Sequence, residues 1–549
     1  MKMNGAQIVI EQLCKHGAAT VFGYPGGAVL PVYDELYKNA GRINHVLTAH
    51  EQGAAHAADG YARVTGMPGV VIATSGPGAT NLVTGIANAF LDSIPMVAVT
   101  GNVAVPLLGR DSFQEVDIAG ITQPVVKHSF VVREVEKLED TLNEAFYIAN
   151  SGRRGPVLVD IPKSVQSDVC EYFGKPPLKT EKPPFKYNFE RIASIIANSK
   201  RPFIYAGGGV TASGAETELR LLSERLSAPV GLSMMGLTAL PGGYPLNLGM
   251  CGMHGKYAAT AAQSECDVML ALGVRFSDRA TGNTDIFRQG KTIIHVDIDL
   301  AEIGKNISTQ IEVCGDIKEV LTGLLKTLSP MRKDEWISRI EELKRKEVQY
   351  KENDFSPRNI IETVERYCDD DTVIATDVGQ HQMWVTQYYK FKKPRTLLTS
   401  GGLGAMGFGL GAAIGGCIAK NRKRTVLFTG DGSFGMNLTE LATAVSQELP
   451  VVTVIFNNNA LGLPRQWQSM FFEGRYSHST LNRKTDFAAL AKAFGAEGHT
   501  VKTLSGLEEA LEKLPDNLPV VIDCRIDMDE KAFPMIPPGG SVKNIVMRG

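Results

Sequence analysis

An acid between two glycines is the residue of this sequence most suited to chemistry. Asp431 lies in TGDGSFGMN, which follows the apolar run TVLF and precedes the helical run LTELATAV. The pair Asn457-Asn458 ends the next apolar run, after a spacer long enough for one helix and one strand. The spacing predicts Asp431 and Asn458 at neighbouring carboxyl ends of parallel strands, where open α/β sheets bind ligands. One carboxylate, one amide oxygen and free helix N–H groups suit Mg²⁺ on a diphosphate, whose oxygens complete the coordination.

The segment GLGAMG, at residues 402–407, favours a different ligand. It fits the dinucleotide fingerprint GxGxxG and precedes Asp431 by roughly the 20-odd residues expected of a ribose-binding acid. The glycines around Asp431 and the Asn457-Asn458 pair weigh against a dinucleotide, because a ribose-binding acid needs neither. The pattern GxxxxGK[ST] does not occur, so a P-loop nucleotide is not the obvious source of a diphosphate.

Alternating strands and helices are expected to position these residues. The first third alternates β-branched apolar runs with Ala/Gly-rich stretches, which is typical of a parallel sheet covered by helices on both faces. The Pro- and Lys-rich stretch 174–188 is predicted to be a linker. A second α/β region closes with the charged helical run 334–354, and the final third again alternates strands with helices. We expect an α/β protein of three doubly wound parallel-sheet domains, at residues 1–173, 189–345 and 356–549.

Composition limits the class of protein further. The chain is 44% hydrophobic and 21% charged, with a formal net charge of -2 and no block of like charge, which argues against a nucleic-acid or membrane-surface partner. The start, MKMNGAQIVIEQLCKHG, is predicted to be an amphipathic helix and not a signal peptide. No apolar run is long enough to span a bilayer. A cytoplasmic protein acting on small molecules is therefore expected.

The first and last thirds share one plan. The two segments are ATSGPGATNLVTGIANAFLDSIPMVAVTGN and LFTGDGSFGMNLTELATAVSQELPVVTVIFNN. Each contains, in this order, a strand, a Gly-x-Gly turn, Asn-Leu, a helix, Pro and a strand ending in Asn. Pro77 falls opposite Asp431, so only the second copy carries the acid. Chance likeness between two ordinary βαβ units is the alternative. A duplicated pair of domains, the first and the third, is the interpretation that we favour.

The combination of GDG, this spacer and NN resembles the signature of thiamine-diphosphate enzymes. Further blocks extend the likeness over almost the whole chain: FGYPGGAVLPVYDELY, HEQGAAHAADGYAR, SGPGATNL, FQEVDI, GPVLVDIPK, GMHG, GQHQMW, GLGAMGFG, GDGSF and RQWQ. Together they resemble the large catalytic subunit of acetohydroxyacid synthase. The resemblance implies decarboxylation of pyruvate and condensation with pyruvate or 2-ketobutyrate, the first common step towards valine, leucine and isoleucine. It also implies three cofactors, thiamine diphosphate, Mg²⁺ and FAD.

The resemblance assigns a role to each expected domain. The first would bind the pyrimidine of thiamine diphosphate, the second FAD, and the third the diphosphate with its metal. In this family the cofactor lies between the pyrimidine domain of one subunit and the diphosphate domain of another. A homodimer or homotetramer with active sites at the subunit interface is thus implied, together with a small regulatory subunit.

The resemblance also singles out Glu51, although an acid at a helix start ordinarily complements the helix dipole. It implies that Glu51 hydrogen-bonds N1′ of the aminopyrimidine and promotes deprotonation of the thiazolium carbon. Met406, otherwise a core methionine, would bend the cofactor, which explains GLGAMG without a dinucleotide. The other residues implied to bind the cofactor or its metal are Gly379, Gln380, His381, Gly404, Gly432, Ser433, Asp431, Asn458 and the carbonyl of Ala460.

Substrate residues follow from the same resemblance. Gly27 would let its backbone approach the reacting carbons, which a residue without Cβ does most easily. Phe113, Gln114 and Lys163 would line the entrance from a neighbouring subunit. Trp467 would pack on the extra methyl of 2-ketobutyrate, and a core aromatic is the alternative.

Flavin contacts are implied in the middle of the chain, and Arg279 carries a second role there. We expect its planar guanidinium to bind the carboxylate of the acceptor. The chain departs from the family pattern FDDR at 276–279 and from GMVR at 462–465. A flavin-dependent pyruvate oxidase, an FAD-free catabolic acetolactate synthase and a non-catalytic paralogue are the alternatives. The residues on FAD-contacting blocks are Arg153, Gly208, His254, Arg275, Arg279, Asp297 and Asp316.

Overall fold

The computed structural model describes residues 1–179, 187–347 and 354–547, and its main feature is three six-stranded sheets. Neighbouring strands in these sheets are parallel and largely buried, as expected when helices cover both faces. The expected α/β class with three parallel sheets is confirmed. Residues 180–186 of the predicted linker and 348–353 of the charged run lie outside the described residues. No helix of the described part is both long and apolar enough to cross a bilayer.

The first unit contains eight strands, six of which form the first sheet. The strands are β1 (Lys2–Asn4), β2 (Thr20–Tyr24), β3 (Asn44–Leu47), β4 (Gly69–Ala73), β5 (Met96–Asn102), β6 (His128–Val131), β7 (Pro156–Pro162) and β8 (Val169–Glu171). The helices are α1 (Gly5–Lys15), α2 (Leu30–Lys38), α3 (Glu51–Thr65), α4 (Pro77–Asn81), α5 (Val83–Asp92), α6 (Ile118–Thr122), α7 (Leu138–Asn150) and α8 (Lys163–Ser167). The sheet order is β3-β2-β4-β5-β7-β6.

The extreme start of the chain differs from the predicted helix. Its first residues form β1, which pairs antiparallel with β8. Helix α1 begins only after Asn4, whose side chain accepts from the backbone N–H of Gln7 at 2.8 Å. Such a cap satisfies a helix-start N–H group, so the helix boundary lies at the asparagine.

The middle unit has the strand order of dinucleotide-binding sheets. Its strands are β9 (Pro202–Ala206), β10 (Val230–Leu232), β11 (Asn247–Met250), β12 (Val268–Leu272), β13 (Thr292–Asp297) and β14 (Ile311–Cys314). Its helices are α9 (Glu190–Asn198), α10 (Gly208–Ser213), α11 (Glu216–Leu226), α12 (Tyr257–Glu265), α13 (Asp278–Thr281), α14 (Thr284–Arg288), α15 (Ile317–Thr327) and α16 (Asp334–Lys344). The order β11-β10-β9-β12-β13-β14 puts the topological switch point between β9 and β12, where a ligand crevice is expected.

The third unit repeats the topology of the first. Its strands are β15 (Val373–Thr376), β16 (Leu397–Leu398), β17 (Thr425–Gly430), β18 (Val451–Asn457), β19 (Glu497–Val501) and β20 (Val520–Arg525). Its helices are α17 (Pro357–Arg366), α18 (Gln380–Tyr388), α19 (Phe408–Ala419), α20 (Asp431–Asn437), α21 (Leu441–Ser446), α22 (Gly462–Phe471), α23 (Phe487–Ala493) and α24 (Leu504–Glu512). The order β16-β15-β17-β18-β20-β19 matches the first sheet strand for strand.

A buried Asn–Asp pair marks the same place in both units. In the first, Nδ2 of Asn102 donates to Asp160 at 2.6 Å, between β5 and β7. In the third, Nδ2 of Asn457 donates to Asp523 at 2.8 Å, between β18 and β20. Ordinary fold convergence does not require the same polar pair on the same two strands. The duplication interpretation is therefore favoured over chance likeness.

Helices α3 and α19 join the first and third units within the chain. Their contact is made by small residues, since a Cβ on Gly415 would overlap the carbonyl of Ala57 and one on Gly60 would overlap that of Ala412. Between them, the ring of His56 packs edge-on against Phe408, with 5.2 Å between ring centres. Backbones this close leave little freedom, so packing fixes how the two units sit relative to each other.

Candidate active site

The carboxyl ends of the third sheet enclose a pocket that is open to solvent on one side. It lies where β15, β17 and β18 end, as the sequence predicts for Asp431 and Asn458. Gly404 lies in the loop between β16 and α19, with a φ of 69°, and does not line the pocket. The predicted cofactor and metal residues that line it are Gly379, Gln380, His381, Met406, Asp431, Gly432, Ser433, Asn458 and Ala460.

Asp431 is the first residue of α20 and only 5% exposed. Burial raises the pKa of its carboxyl to about 6, and the backbone N–H groups of Gly432 and of Asp431 itself act in the opposite direction. Within the described residues it has no salt-bridge partner. A buried carboxylate without a cationic neighbour in contact is suited to ligate a metal ion.

The loop after β18 presents the other two predicted metal ligands. The Asn457–Asp523 hydrogen bond holds the last residue of the strand. Next to it, Oδ1 of Asn458 accepts from the backbone N–H of Ala460 at 3.1 Å. The residue between them, Asn459, has a φ of 53°, which turns the chain so that Asn458 and Ala460 both line the pocket.

Helix α18 contributes a histidine with an unused nitrogen. Burial lowers the pKa of His381 to about 3, so its ring is neutral at pH 7. Its Nε2 is buried and has no hydrogen-bond partner among the described residues. Beside it, Gln380 donates to Oε1 of Gln466 at 3.0 Å and to the carbonyl of Glu530 at 2.7 Å. Buried polar atoms are normally satisfied, so the orphaned nitrogen fits a ligand oxygen such as that of a diphosphate.

Met406 reaches the pocket from the glycine-rich loop before α19. The carboxylate of Asp377 accepts from the backbone N–H of Gly407 at 2.8 Å and of Gly409 at 3.3 Å. Gly407 has a φ of 89°, a conformation that glycine adopts without strain. Helix α19 begins at Phe408, after the last glycine of GLGAMG, whereas in the dinucleotide fingerprint the helix begins within the motif. The dinucleotide interpretation of this segment is therefore wrong.

Glu51 lies on the first unit, at the start of α3. It is buried, and its Oε2 accepts from Nδ2 of Asn81 at 2.9 Å. Its Oε1 makes no hydrogen bond within the described residues. Glu51 does not line the pocket of the third sheet. One chain therefore carries both halves of the predicted site without joining them.

The remaining substrate residues predicted on the first unit follow the carboxyl ends of its strands. Gly27 follows β2, Phe113 and Gln114 follow β5, and Lys163 begins α8 directly after β7. Phe113 is 87% exposed, and Gln114 and Lys163 are exposed as well. A Cβ on Gly27 would meet nothing within 4 Å. The described part of the chain leaves the space beside Gly27 open, and the approach of its backbone to the reacting carbons stays a prediction.

Three of the predicted flavin residues lie around the switch point of the middle sheet. Gly208 begins α10 after β9, Arg275 follows β12, and Asp297 ends β13. Burial raises the pKa of Asp297 to about 6 and lowers that of Arg275. The Arg275 guanidinium makes no hydrogen bond or ion pair within the described residues. An unpaired, half-buried guanidinium at a switch point fits the diphosphate of a dinucleotide.

The other flavin candidates differ in whether their polar side-chain atoms already have partners within the protein. Arg153 pairs with Glu302 at 2.6 Å and donates to Ser93 at 2.8 Å. Asp316 caps α15. His254 is buried, its Nδ1 has no hydrogen-bond partner among the described residues, and burial lowers its pKa to about 4. Arg153 and Asp316 already have protein partners, and contacts of all three residues with FAD stay predictions.

Arg279 of the middle unit and Trp467 of the third unit come together. The guanidinium carbon lies 5.8 Å from the centre of the Trp467 ring, and Nη1 lies 3.4 Å from Sδ of Met253. Arg279 is 63% exposed and Trp467 is half-buried, so the tryptophan ring is not fully enclosed in the core. Helix α22, which carries Trp467, begins at Gly462 on the pocket wall.

Several residues that hold the site were not predicted. They are the buried Asp377, Gln466 and Glu440 and the half-buried Asn81. An acid directly after a strand could have identified Asp377, and an acid inside the apolar helical run LTELATAV could have identified Glu440. Gln466 and Asn81 carry no such signal, because their partners are distant in sequence.

Three family models match the chain, each in one unit. The N-terminal TPP binding domain of thiamine pyrophosphate enzymes matches residues 3–121. The central domain of the same enzymes matches 189–324, and their C-terminal TPP binding domain matches 377–524. The matches support thiamine diphosphate as the cofactor shared by the first and third units.

Similar proteins extend the likeness to the full chain. It is 44% identical to the probable acetolactate synthase large subunit of Methanocaldococcus jannaschii, over 99% of this chain and 95% of the relative. The acetolactate synthase large subunit of Buchnera aphidicola subsp. Schizaphis graminum is 43% identical, over 100% and 99%. The acetolactate synthase isozyme 3 large subunit of Escherichia coli K12 is 42% identical, over 98% of each chain. The chain therefore belongs to the acetolactate synthase large-subunit family of thiamine-pyrophosphate enzymes.

Proposed function

We propose that the chain decarboxylates pyruvate on thiamine diphosphate and condenses the remaining two-carbon unit with pyruvate or 2-ketobutyrate. This is the first common step towards valine, leucine and isoleucine. The observation that carries the proposal is the pocket at the ends of β17 and β18, which Asp431, Asn458 and His381 all line. Nε2 of His381 has no hydrogen-bond partner in the part of the chain that the structure describes. Its position in a chain that matches acetolactate synthases over its full length supports the same reaction.

The third unit would hold the diphosphate through a Mg²⁺ ion. Asp431 would supply a carboxylate oxygen, Asn458 an amide oxygen and Ala460 its carbonyl, which are the hard ligands that Mg²⁺ prefers. The neutral ring of His381 and the backbone at Gly379 would bind diphosphate oxygens. The lack of a salt-bridge partner for Asp431 within the described residues supports a cation at this point.

Glu51 and Met406 would act on the ring end of the cofactor. When bound, thiamine diphosphate supplies a nucleophilic carbon for the keto group of pyruvate and an electron sink for the loss of CO₂. Glu51 would share a proton with the aminopyrimidine nitrogen through Oε1, while Asn81 fixes Oε2. Met406, on the pocket wall, would press the two rings of the cofactor towards each other. Both residues would thus contribute orientation and charge.

A second copy of the chain would complete the site. Glu51 belongs to the first unit and does not line the pocket of its own chain. Apolar side chains are exposed at the carboxyl ends of both sheets: Leu47 and Phe113 on the first unit, Leu403 and Met436 on the third. These surfaces support a homodimer in which the first sheet of one copy faces the third sheet of the other, and pairs of dimers would form a tetramer.

Arg279 and Trp467 would receive the acceptor. Trp467 presents a half-buried apolar ring near the pocket, and Arg279 presents a largely exposed guanidinium above it. An apolar ring suits the alkyl end of a 2-ketoacid, and a guanidinium suits its carboxylate. Lys163, Gln114 and Phe113 would close the entrance from the other copy.

FAD and a small regulatory subunit are the remaining proposed partners. The strand order of the middle sheet supports FAD at the switch point. The guanidinium of Arg275 and Nδ1 of His254, which have no partners within the described ranges, support the same ligand. Asp297 and Gly208 lie at the same strand ends. Relatives named as large subunits support a smaller partner chain.

The experiment that tests the proposed function is a product assay with pyruvate and 2-ketobutyrate in competition. With thiamine diphosphate, Mg²⁺ and FAD, we expect 2-acetolactate and 2-aceto-2-hydroxybutyrate, and no product without thiamine diphosphate. Parallel assays without FAD test the middle unit. Flavin bleaching by pyruvate with transfer to a quinone would instead indicate a pyruvate oxidase.

A further inference from the structure

Glu440 is a fully buried acid on the third unit whose carboxylate contacts the first unit. It ends a short 3-10 turn, Leu438–Glu440, after α20. Its side chain is 0% exposed. Oε1 accepts from the backbone N–H of His50 at 3.0 Å, and Oε2 accepts from that of Ala49 at 3.2 Å. A single carboxylate therefore binds two consecutive N–H groups of a segment nearly four hundred positions earlier in the chain.

The segment that Glu440 holds leads directly into Glu51. His50 is the N-cap of α3, where its Nδ1 accepts from Gln52, and Glu51 is the first residue of the helix. The N–H groups ahead of a helix have no partners within it and need an acceptor from elsewhere. A carboxylate at this end is also favoured by the helix dipole. The backbone on the N-terminal side of Glu51 is thus fixed by the other unit.

The surroundings of Glu440 are built for this contact. The hydroxyl of Thr443 donates to Oε2 at 2.6 Å and accepts from Ala49 at 3.1 Å. A Cβ on Gly53, one turn into α3, would overlap Oε1 of Glu440, so the absence of a side chain there admits the carboxylate. Burial raises the pKa of Glu440, and the hydrogen bonds from Thr443 and the two N–H groups oppose that effect.

The first unit makes the reciprocal contact. Asp92, at the end of α5, accepts from the backbone N–H of Gly401 at 3.0 Å and of Gly402 at 2.7 Å, in the loop that leads to Met406. Arg63 donates to the same carboxylate at 2.8 Å. Glu440 follows β17, the third strand of its sheet in chain order, and holds the loop before α3, the helix after β3. Asp92 follows β4, the third strand of its own sheet in chain order, and holds the loop before α19, the helix after β16. Each of the two units therefore holds a loop of the other through a single carboxylate.

We propose that Glu440 is a positioning residue for Glu51. It clamps the backbone at Ala49 and His50, so that the carboxyl of Glu51 lies at a fixed place when the cofactor is bound. The catalytic consequence rests on the role of Glu51 in the proposed function, whereas the clamp itself does not. Glu440 is outside the diphosphate pocket, so cofactor affinity should depend on it only weakly.

The test compares Glu440→Gln with a matched control, Glu139→Gln. Glu139, on α7, is also buried and accepts two backbone N–H groups, from Phe173 at 3.1 Å and Lys175 at 2.6 Å, and it does not line the pocket. Hydrogen exchange of the full-length enzyme should be at least about tenfold faster at Ala49 and His50 in Glu440→Gln, because an amide presents one acceptor where two are needed. In the control, the faster exchange should be confined to 173–175.

Kinetics with thiamine diphosphate separate this role from general stability. We expect kcat to fall about tenfold or more in Glu440→Gln, as for a misplaced catalytic group, with cofactor affinity within about twofold of the wild type. Glu139→Gln should keep its kcat. Thr443→Val leaves the Glu440 carboxylate in place, so it should speed exchange at Ala49 and His50 and lower kcat by smaller factors than Glu440→Gln does. If Glu440→Gln does not fold, Thr443→Val takes its place in the test.

Glu51→Gln, assayed in parallel, keeps the two proposals distinguishable. Unchanged hydrogen exchange at Ala49 and His50 in Glu440→Gln would overturn the proposal that Glu440 holds this backbone segment. Unchanged kcat there, while Glu51→Gln is inactive, would overturn the positioning role. If Glu51→Gln stays active, the assignment of Glu51 in the proposed function fails, and the exchange measurement alone decides whether Glu440 holds the segment.

Discussion

At the scale of single residues, the acceptor side of the proposed site depends on an aromatic ring and a guanidinium from different units. Trp467 lies on α22 beside the pocket, and Arg279 reaches over its ring from the middle unit. The contact is partly exposed, so neither residue is required by the core of its own unit. Each can therefore be changed with an effect on substrate choice and little effect on folding.

Trp467→Leu is expected to reduce the preference for 2-ketobutyrate over pyruvate as acceptor. One methylene in an apolar pocket is worth ~1–3 kcal/mol, so the preference should fall by about tenfold or more. Acetolactate formation from pyruvate alone should stay largely intact, as expected for lost differential binding. The product ratio in a competition assay measures the effect. Trp467→Phe keeps an aromatic ring, so its product ratio should lie between those of the wild type and Trp467→Leu. An unchanged ratio, or equal loss of both products, would show that Trp467 serves packing.

Arg279→Ala is expected to raise the KM for the acceptor. A charge-assisted hydrogen bond contributes roughly 1.5–3 kcal/mol, so the KM should rise by about tenfold or more while the first decarboxylation changes little. Arg279→Lys keeps the charge without the planar fork and should recover only part of the affinity. Arg288→Ala, an exposed arginine of the same unit, is the control and should leave KM unchanged. Equal slowing of both half-reactions would count against a carboxylate-binding role.

At the scale of elements, the contact between α3 and α19 buries a histidine that forms no ion pair with any described residue. His56 is fully buried, its Nδ1 has no partner among the described residues, and it packs against Phe408. Burial lowers its pKa to about 3, and the nearby positive charge of Arg63 acts in the same direction. The folded protein therefore binds fewer protons at this position than the unfolded chain does.

Acid should accordingly weaken the α3–α19 contact. A histidine whose pKa is depressed on folding gives stability that is complete above the unfolded pKa of ~6.5 and is lost as the pH falls towards the folded value. Between about pH 7 and pH 5 the loss from His56 should be about 2 kcal/mol of unfolding free energy. His56→Gln should remove this part of the pH dependence, whereas His128→Gln, at an exposed position, should keep it. Equal slopes for His56→Gln and the wild type would contradict the assignment.

The strands and the residues that follow them can be predicted from the sequence, whereas the contacts between units cannot. Asp431 and Asn458 were predicted correctly at neighbouring strand ends, because the order of strand, helix and strand limits where the chain can go. GLGAMG was ambiguous, since its glycines serve a loop held by Asp377 that only the fold reveals. The Glu440 clamp joins residues hundreds of positions apart, and no local pattern predicts such a pair.

At the scale of the whole molecule, the first and third units each carry one part of the proposed site. The third unit keeps the acid, the asparagine and the histidine of the pocket, and the first keeps Glu51. The two lie in one chain, yet Glu51 does not line the pocket of that chain. Two copies related by a two-fold axis would form two equivalent sites, each with Glu51 from one copy and Asp431 from the other.

The most direct measurement of this account is complementation between two inactive chains. Glu51→Gln and Asp431→Asn should each abolish acetolactate formation as homodimers. A purified heterodimer of the two variants, made with different affinity tags, should recover about half of the wild-type activity, because one of two equivalent sites is then intact. A heterodimer no more active than either homodimer would contradict a site that is shared between copies.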